Sequence, residues 1–369
     1  MKRSLLVTLA LLVCVASVGV MFAQDVQTAR PMFAAIPPHS YYPARPAEPA
    51  AQLTQFNLTW KSSHNNQNYT STIVGTDPTQ NNSTTTVTIG VIPIKMVYGQ
   101  NNGNMTFDPG TPYVGNTSTT QMFLNSPMLQ SYIDFNQGGT DLGNTQYIDA
   151  YTRGNFWASV QTNTNYHVIL KPVLGPTQTI TVQPGQGQVE VNPLGGGYKI
   201  GTMDINAFDT QLQSIMHKYS QIQPNVLPFF ITYNVYLTSG GCCIGGYHSA
   251  NGRQPGGQTY SYTTIMAQNP NHQALFAQDI SAAAHELGEW QLDPFVDNAS
   301  PCTNDNTILE NGDPLELNAT YGQYPYTYKG FTFHPQDLVF LSWFGQTPST
   351  AVNGWTTFQN EKLGVCVVN

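Results

Sequence analysis

Residues 279–292 have the sequence DISAAAHELGEWQL, and this stretch decides which fold and which chemistry the chain is expected to have. Asp279 is a candidate helix N-cap, and Pro294 forces the residue before it out of helical geometry, so we expect a helix between these positions. Within it His285 and Glu289 are four residues apart. That spacing places both side chains on one face of the helix, one turn apart, where they can bind one cation.

The spacing is that of the HExxH helix of metallopeptidases, in which the residues at i and i+4 bind zinc and the Glu between them is the general base. In this chain Glu289 replaces the second His. A carboxylate oxygen binds zinc at nearly the same distance as an imidazole nitrogen. We therefore predict His285 and Glu289 as metal ligands and Glu286 as the catalytic residue. Zn²⁺ is the expected ion, although oxygen-rich coordination also admits manganese, iron or calcium.

The same pattern also arises by chance, as an exposed acid pair beside a histidine. Only 9% of the residues are charged, yet His285, Glu286 and Glu289 crowd an otherwise apolar, alanine-rich helix. A buried carboxylate without a partner is costly. The composition of the helix therefore favours metal binding over a solvated acid pair.

A third ligand is expected in the segment ILENGDPLE, residues 308–316, where Glu310 is the first choice. Twenty residues lie between Glu289 and Glu310, which is close to the gap in thermolysin-like zinc peptidases. Asp313 and Glu316 lie near Glu310 in the chain. Residues predicted as site neighbours are His248, Asp293 and Asp313. The alternatives to Glu310 as third ligand are His248, Asp293, Asp297 and His334.

Flanking segments indicate further elements of the same region. Asp204 caps a predicted amphipathic helix that Pro224 prevents from continuing. A mostly apolar strand is predicted at residues 226–237 and should be central in a sheet, because both of its faces are largely apolar. A second strand is expected at residues 259–266, and GGCCIGGYHS at residues 240–249 is predicted to be a loop.

The first half of the chain is predicted to be rich in strands. Residues 56–96 alternate in polarity as strands do, with Pro93 marking a bulge or an edge. Strands are also expected at residues 166–174 and 177–182. One helix is predicted to begin at Ser126, and a second to cover residues 144–158.

Together these elements predict an α+β protein with a zincin-like mixed sheet, packed helices and a β-rich N-terminal half. The expected divisions are a signal peptide (1–23), a Pro/Ala-rich linker (24–51), a β-rich region (52–184) and a zincin-like metal-binding domain (185–369). Whether residues 52–184 form a separate domain or supply strands to the same core is open at this stage.

The N-terminus predicts export. Lys2 and Arg3 precede an apolar run that ends near Ala23, the pattern of a cleaved secretory signal. The alternative is a transmembrane anchor, because the run is close to the shortest length that crosses a bilayer. The protein is therefore expected to be secreted or extracytoplasmic.

Four cysteines follow the leader, and an even number in an exported chain suggests two disulfides. A bond between the adjacent Cys242 and Cys243 would close a strained eight-membered ring. We therefore predict that each of them pairs with Cys302 or Cys366. A metal-thiolate site is the alternative, but the spacing lacks the paired CxxC units typical of zinc sites.

The net charge of the chain indicates which kinds of binding partner to expect. The chain has 13 Lys and Arg against 21 Asp and Glu, for a net charge of −8. Nucleic-acid binding needs clustered cations, which this chain has few of, so nucleic acid is excluded as a partner. No membrane association is expected after signal cleavage. The expected partner is a protein or peptide substrate, and the oligomeric state is not indicated.

From about Val226 to the C-terminus the chain resembles the plant phosphate-induced, Exordium-like secreted proteins and their bacterial relatives. The resemblance depends on the joint order of five short motifs. It departs at Trp290, where the relatives usually carry a small residue, at the adjacent Cys242 and Cys243, and in the N-terminal half. It implies an extracellular protein with a zincin-like core. The motifs are GYH (246–248), HELGE (285–289) followed by Asp293 and Pro294, ENGD (310–313), YG (321–322) and Cys366.

The sequence thus predicts a secreted metal-dependent hydrolase, most simply a zinc metallopeptidase that uses a metal-activated water. The alternative is a non-catalytic extracellular or cell-surface protein that retains a zincin-like fold for structure or binding.

Overall fold

The computed structural model describes residues 32–35, 51–193, 197–252, 256–267, 278–303, 307–316 and 324–368. The predicted signal peptide, most of the predicted linker, and the YG motif at residues 321–322 lie outside the described residues. In the part of the chain that is described, no helix is long and apolar enough to cross a membrane.

Strands predominate among the described elements. They are β1 (Met32–Ala35), β2 (Gln55–Ser62), β3 (Asn68–Val74), β4 (Thr84–Tyr98), β5 (Met105–Phe107), β6 (Pro112–Val114), β7 (Thr117–Ser118), β8 (Ile133–Gln137), β9 (Thr140–Thr145), β10 (His167–Leu174), β11 (Gln178–Val182), β12 (Val189–Val191), β13 (Lys199–Asp204), β14 (Val226–Tyr233), β15 (Val235–Thr238), β16 (Cys242–Asn251), β17 (Gln258–Ile265), β18 (Tyr326–Tyr328), β19 (Phe331–Phe333) and β20 (Gln346–Thr347).

The helices are fewer. They are α1 (Thr119–Leu124), α2 (Tyr147–Asn155), α3 (Trp157–Val160), α4 (Ile205–Lys218), α5 (Ser281–Leu292) and α6 (Asp313–Glu316). α4 and α5 confirm the two helices predicted in the second half, and Asp204 caps α4 by accepting from the backbone N–H groups of Asn206 and Ala207.

A large mixed sheet organises the molecule, with the order β10-β4-β14-β17-β16-β15-β13-β12. β14 pairs in parallel with β4 and β17, whereas β16 is antiparallel to β17 and β15. β14 is therefore central, as its apolar sequence predicted. β4 and β10 come from the N-terminal half, so that half supplies strands to the same sheet.

Helices cover both faces of this sheet, and the alternation of side chains along β14 shows how. Phe229 and Ile231 pack into the cluster that contains Leu287 of α5. Phe230 points the other way, into the cluster that contains Phe208 of α4. Successive strand residues face opposite sides of a sheet, so α4 and α5 lie on opposite faces.

Pro93 lies in β4 within the sheet, where it is aligned with Ile231 of β14. On the other side of β4, pairing with β10 ends at Val91 and pairing with β11 begins at Ile94. Proline has no N–H to donate. It is accommodated because it falls in the gap between two partner strands.

Two local predictions were wrong. The helix expected from Ser126 is instead a turn followed by the β8–β9 hairpin, because Gly138 and Gly139 have φ values of 59° and 90° and make the hairpin turn. The expected loop at residues 240–249 is largely strand β16, which pairs with β17 and β15 along one edge and with β1 along the other.

The predicted disulfide pairing was also wrong. Cys242 is bonded to Cys243, and Cys302 to Cys366. Cys302 and Cys366 are buried together in the cluster on the α5 face, whereas Cys243 packs into a separate cluster with Ile200 and Tyr236. The Cys302–Cys366 bond ties the C-terminus to the segment after α5.

Candidate metal centre

α5 presents the HELGE motif entirely inside the protein, since all twelve of its residues are buried. It packs against β16 and β17. Its N-cap residue is Ile280 rather than the predicted Asp279. Asp279 instead accepts hydrogen bonds from the backbone of Ile280 and from His334. The predicted end is confirmed, because Asp293 leaves helical geometry before Pro294.

His285 is oriented by an amide that sequence analysis did not single out. Gln336 Nε2 donates to the carbonyl of Gly312 at 2.7 Å, which leaves its Oε1 to accept from His285 Nδ1 at 3.1 Å. In a neutral ring, Nε2 of His285 then carries the lone pair. It lies 2.9 Å from Glu289 Oε1 and 3.5 Å from Asp313 Oδ1. A metal-binding histidine usually donates the N–H of its other ring nitrogen to a fixed acceptor in this way.

His248, on β16, has the same kind of orientation. Its Nε2 lies 3.2 Å from the backbone carbonyl of Asp293, which can only accept, so Nε2 carries the hydrogen. Nδ1 faces carboxylate oxygens instead, 3.4 Å from Glu286 Oε2 and 3.6 Å from Glu289 Oε2. The GYH motif therefore brings His248 to the face of α5 that carries the acids.

Two overlapping sets of ligand atoms result, and each could hold a metal ion. The His285 group consists of His285, Glu289 and Asp313; the His248 group consists of His248, Glu286 and Glu289. Within each group the ligand atoms lie within 4.8 Å of one another. Only Asp313 is not fully buried, with 18% of its side chain exposed.

Glycines allow the close packing around these side chains. A Cβ on Gly246 of β16 would lie 2.6 Å from Glu286 Oε1, and a Cβ on Gly312 would collide with the ring of His285. Any larger residue would displace the acid or the imidazole. Gly246 belongs to the GYH motif and Gly312 to the ENGD motif, which explains why glycine accompanies the acids and histidines there.

Burial changes the pKa values of several acids and histidines in this cluster. It raises the pKa of Glu286 well above the usual range, an effect that His285 opposes and Glu289 reinforces. Burial also raises the pKa of Glu310, with Glu289 adding to it. Burial lowers the pKa of His248 to about 3, and the nearby His285 contributes. For His285 burial acts downward, but Asp313 and Glu286 outweigh it and raise the pKa.

The segments that build the cluster contain no lysine or arginine: residues 242–251, 281–292 and 309–316 have none. Buried carboxylates require a compensating positive charge or a proton. Acceptor atoms that converge without a local basic residue fit a bound divalent cation, and the mixed oxygen and nitrogen donors suit zinc or manganese.

The remaining predicted residues lie around this centre. Glu310 is buried, with Oε1 at 3.8 Å from His248 Nε2, so it adjoins the His248 group and stays a predicted ligand. Asp313, predicted as a neighbour, belongs to the His285 group. Asp293 contributes its backbone carbonyl to His248, while its side chain accepts from the backbone of Asp297 and Asn298. His334 binds Asp279 instead.

The geometry defines a buried centre of histidines and carboxylates around α5 that could hold a metal ion. No protein-family model, no curated protein and no solved structure matches this chain significantly.

Proposed function

We propose that this protein is a secreted metal-dependent hydrolase that acts on peptide or protein substrates with one Zn²⁺ at the His285 group. The observation that supports it most directly is the orientation of His285, whose Nδ1 donates to Gln336 while Nε2 faces Glu289 and Asp313. Such an ion supplies a water of lowered pKa and polarises the scissile carbonyl.

Glu286 is the proposed general base. It follows His285 directly on α5, and burial raises its pKa well above the usual range of a carboxyl group, which makes it a stronger base. Its role is to take a proton from the attacking water and hand it to the leaving group. Asp313, whose side chain is partly exposed, marks the side from which solvent approaches the centre.

A non-catalytic extracellular protein is the second candidate, and one observation favours it. His285, Glu286 and Glu289 are buried, whereas a peptidase needs an open cleft at its metal. In this candidate the ion stabilises the fold, and no substrate reaches it. Two disulfides and the signal-like N-terminus support an extracytoplasmic location for either candidate.

The test combines metal content and turnover. The purified mature protein and a His285→Ala variant are analysed for bound metal by elemental analysis and assayed on a quenched fluorescent peptide library. The hydrolase predicts bound metal and cleavage in the parent protein and neither in the variant. Bound metal without cleavage of any peptide or protein substrate would favour the non-catalytic candidate, and absence of metal would refute the hydrolase.

A further inference from the structure

One ring nitrogen of His248, a hydrogen-bond acceptor, faces two carboxylate oxygens that are also acceptors. Because Nε2 donates to the carbonyl of Asp293, Nδ1 of the neutral ring has a lone pair, and it faces Glu286 Oε2 and Glu289 Oε2. Something positive is therefore needed among these three atoms.

The distances indicate an ion rather than a shared proton. Nδ1 lies 3.4 Å and 3.6 Å from the two carboxylate oxygens, which is long for a hydrogen bond between buried groups. Ligands of a tetrahedral ion that are bound at about 2.0–2.2 Å stand about 3.3–3.6 Å from one another. Both distances from Nδ1 match the spacing of ligands on one cation, and one ligand atom of each of the three residues lies within 4.8 Å of the others.

Glu289 belongs to both groups through different oxygens. Its Oε1 lies 2.9 Å from His285 Nε2, and its Oε2 lies 3.6 Å from His248 Nδ1. A carboxylate that turns one oxygen toward each of two histidines has the geometry of a bridging ligand. In binuclear sites the two ions are about 3.5–4 Å apart.

From this geometry we infer that the cluster binds a second divalent cation at the His248 group, bridged by Glu289 to the ion of the His285 group. Glu310 Oε1 is buried, has no hydrogen-bond partner among the described residues, and lies 3.8 Å from His248 Nε2.

The inference rests on the proposed metal centre at His285 but extends the role of Glu286. In the binuclear centre Glu286 Oε2 holds the second ion. Its Oε1, for which the described residues provide no hydrogen-bond partner, remains the atom that takes the proton. The second ion would thus orient the general base.

The test is a count of ions. Metal-free protein, prepared with a chelator, is equilibrated with Mn²⁺ and analysed for ions per chain. We expect two for the parent protein and one for His248→Gln, whose amide N–H group can take the place of Nε2 as donor to the carbonyl of Asp293. His167→Gln is the matched control, because His167 is bonded to Asp149 away from the cluster and its loss should leave two ions.

Electron paramagnetic resonance of the parent protein tests the bridge without any substitution. Two Mn²⁺ ions joined by Glu289 should give an exchange-coupled spectrum. One ion per parent chain, two ions retained in His248→Gln, or two uncoupled ions would each overturn the inference. If the parent holds one ion that His285→Ala removes, the second site fails while the proposed function stands. If the parent holds none, both fail.

Discussion

His285 Nε2 lies 2.9 Å from Glu289 Oε1, one turn further along a helix whose residues are all buried. A histidine and a carboxylate in contact inside a protein are stable only when a proton or an ion joins them. The contact therefore couples metal binding to the stability of α5, so changes at this pair should alter both.

Glu286→Gln and Glu289→Ala should separate catalysis from metal retention. Gln at position 286 keeps the shape of the side chain but cannot take a proton, so hydrolysis should fall by about 100-fold or more while the ion at His285 stays bound. Glu289→Ala removes a ligand and should lose metal and activity together. Elemental analysis and turnover on the same samples measure this, and loss of the His285 ion in Glu286→Gln would contradict it.

Gly312→Ala should weaken metal binding without removing a ligand. Its Cβ would collide with the ring of His285 and disturb the hydrogen bond from Nδ1 to Gln336. Loss of such a supporting contact lowers metal affinity by about 10- to 100-fold. A competition titration with a chromophoric chelator measures the affinity. Gly364→Ala is the control, since nothing lies within 4 Å of its Cβ position.

Deletion of residues 24–51 from the mature protein should increase cleavage of protein substrates. β1 pairs in parallel with β16, with Phe33 aligned to Gly246 and Ala35 to His248. Removing β1 exposes a strand edge beside the centre, where an extended peptide can pair. The melting temperatures of the parent and truncated proteins are measured first, to show that both are folded. Their rates of substrate cleavage are then compared. A folded, truncated protein with no gain in cleavage would favour the non-catalytic candidate.

The two disulfides should differ in their effect on stability. Cys302 and Cys366 are 64 residues apart, and closing a loop of that length is worth about 4 kcal/mol in the chain-entropy model. Replacing both by Ala should lower the free energy of unfolding by about that amount. The pair Cys242 and Cys243 closes no chain loop, so its double replacement should cost much less. Urea unfolding measures both, and non-reducing mass spectrometry checks the pairing.

Asp337 should make the protein less stable as the pH rises. Burial raises its pKa in the folded protein to about 8, against about 3.9 for an unfolded chain. Between these values the folded state binds more protons, so this residue's contribution is fully present below about pH 4 and is lost as the pH rises through about 8. Asp337→Asn should reduce the difference in unfolding free energy between pH 5 and pH 8. An unchanged difference would refute this role.

Local sequence signals determined α4, α5 and the central strand β14. Helical periodicity, an N-cap at Asp204, and a proline after Asp293 act within a few residues, so they can be recognised without knowledge of the rest of the fold. The same holds for the shared face of His285 and Glu289, which follows from helix geometry alone.

Tertiary structure decided which distant residues meet. His248 reaches Glu286 because β16 packs under α5, and Gln336 reaches His285 across 51 positions of sequence. The disulfide pairing was mispredicted for the same reason, because it depends on which cluster each cysteine enters. Contacts between remote segments are set by strand order and register, which short-range patterns do not encode. The sequence by itself therefore determined α4, α5, β14 and the shared face of His285 and Glu289, and the fold decided which other residues meet that face.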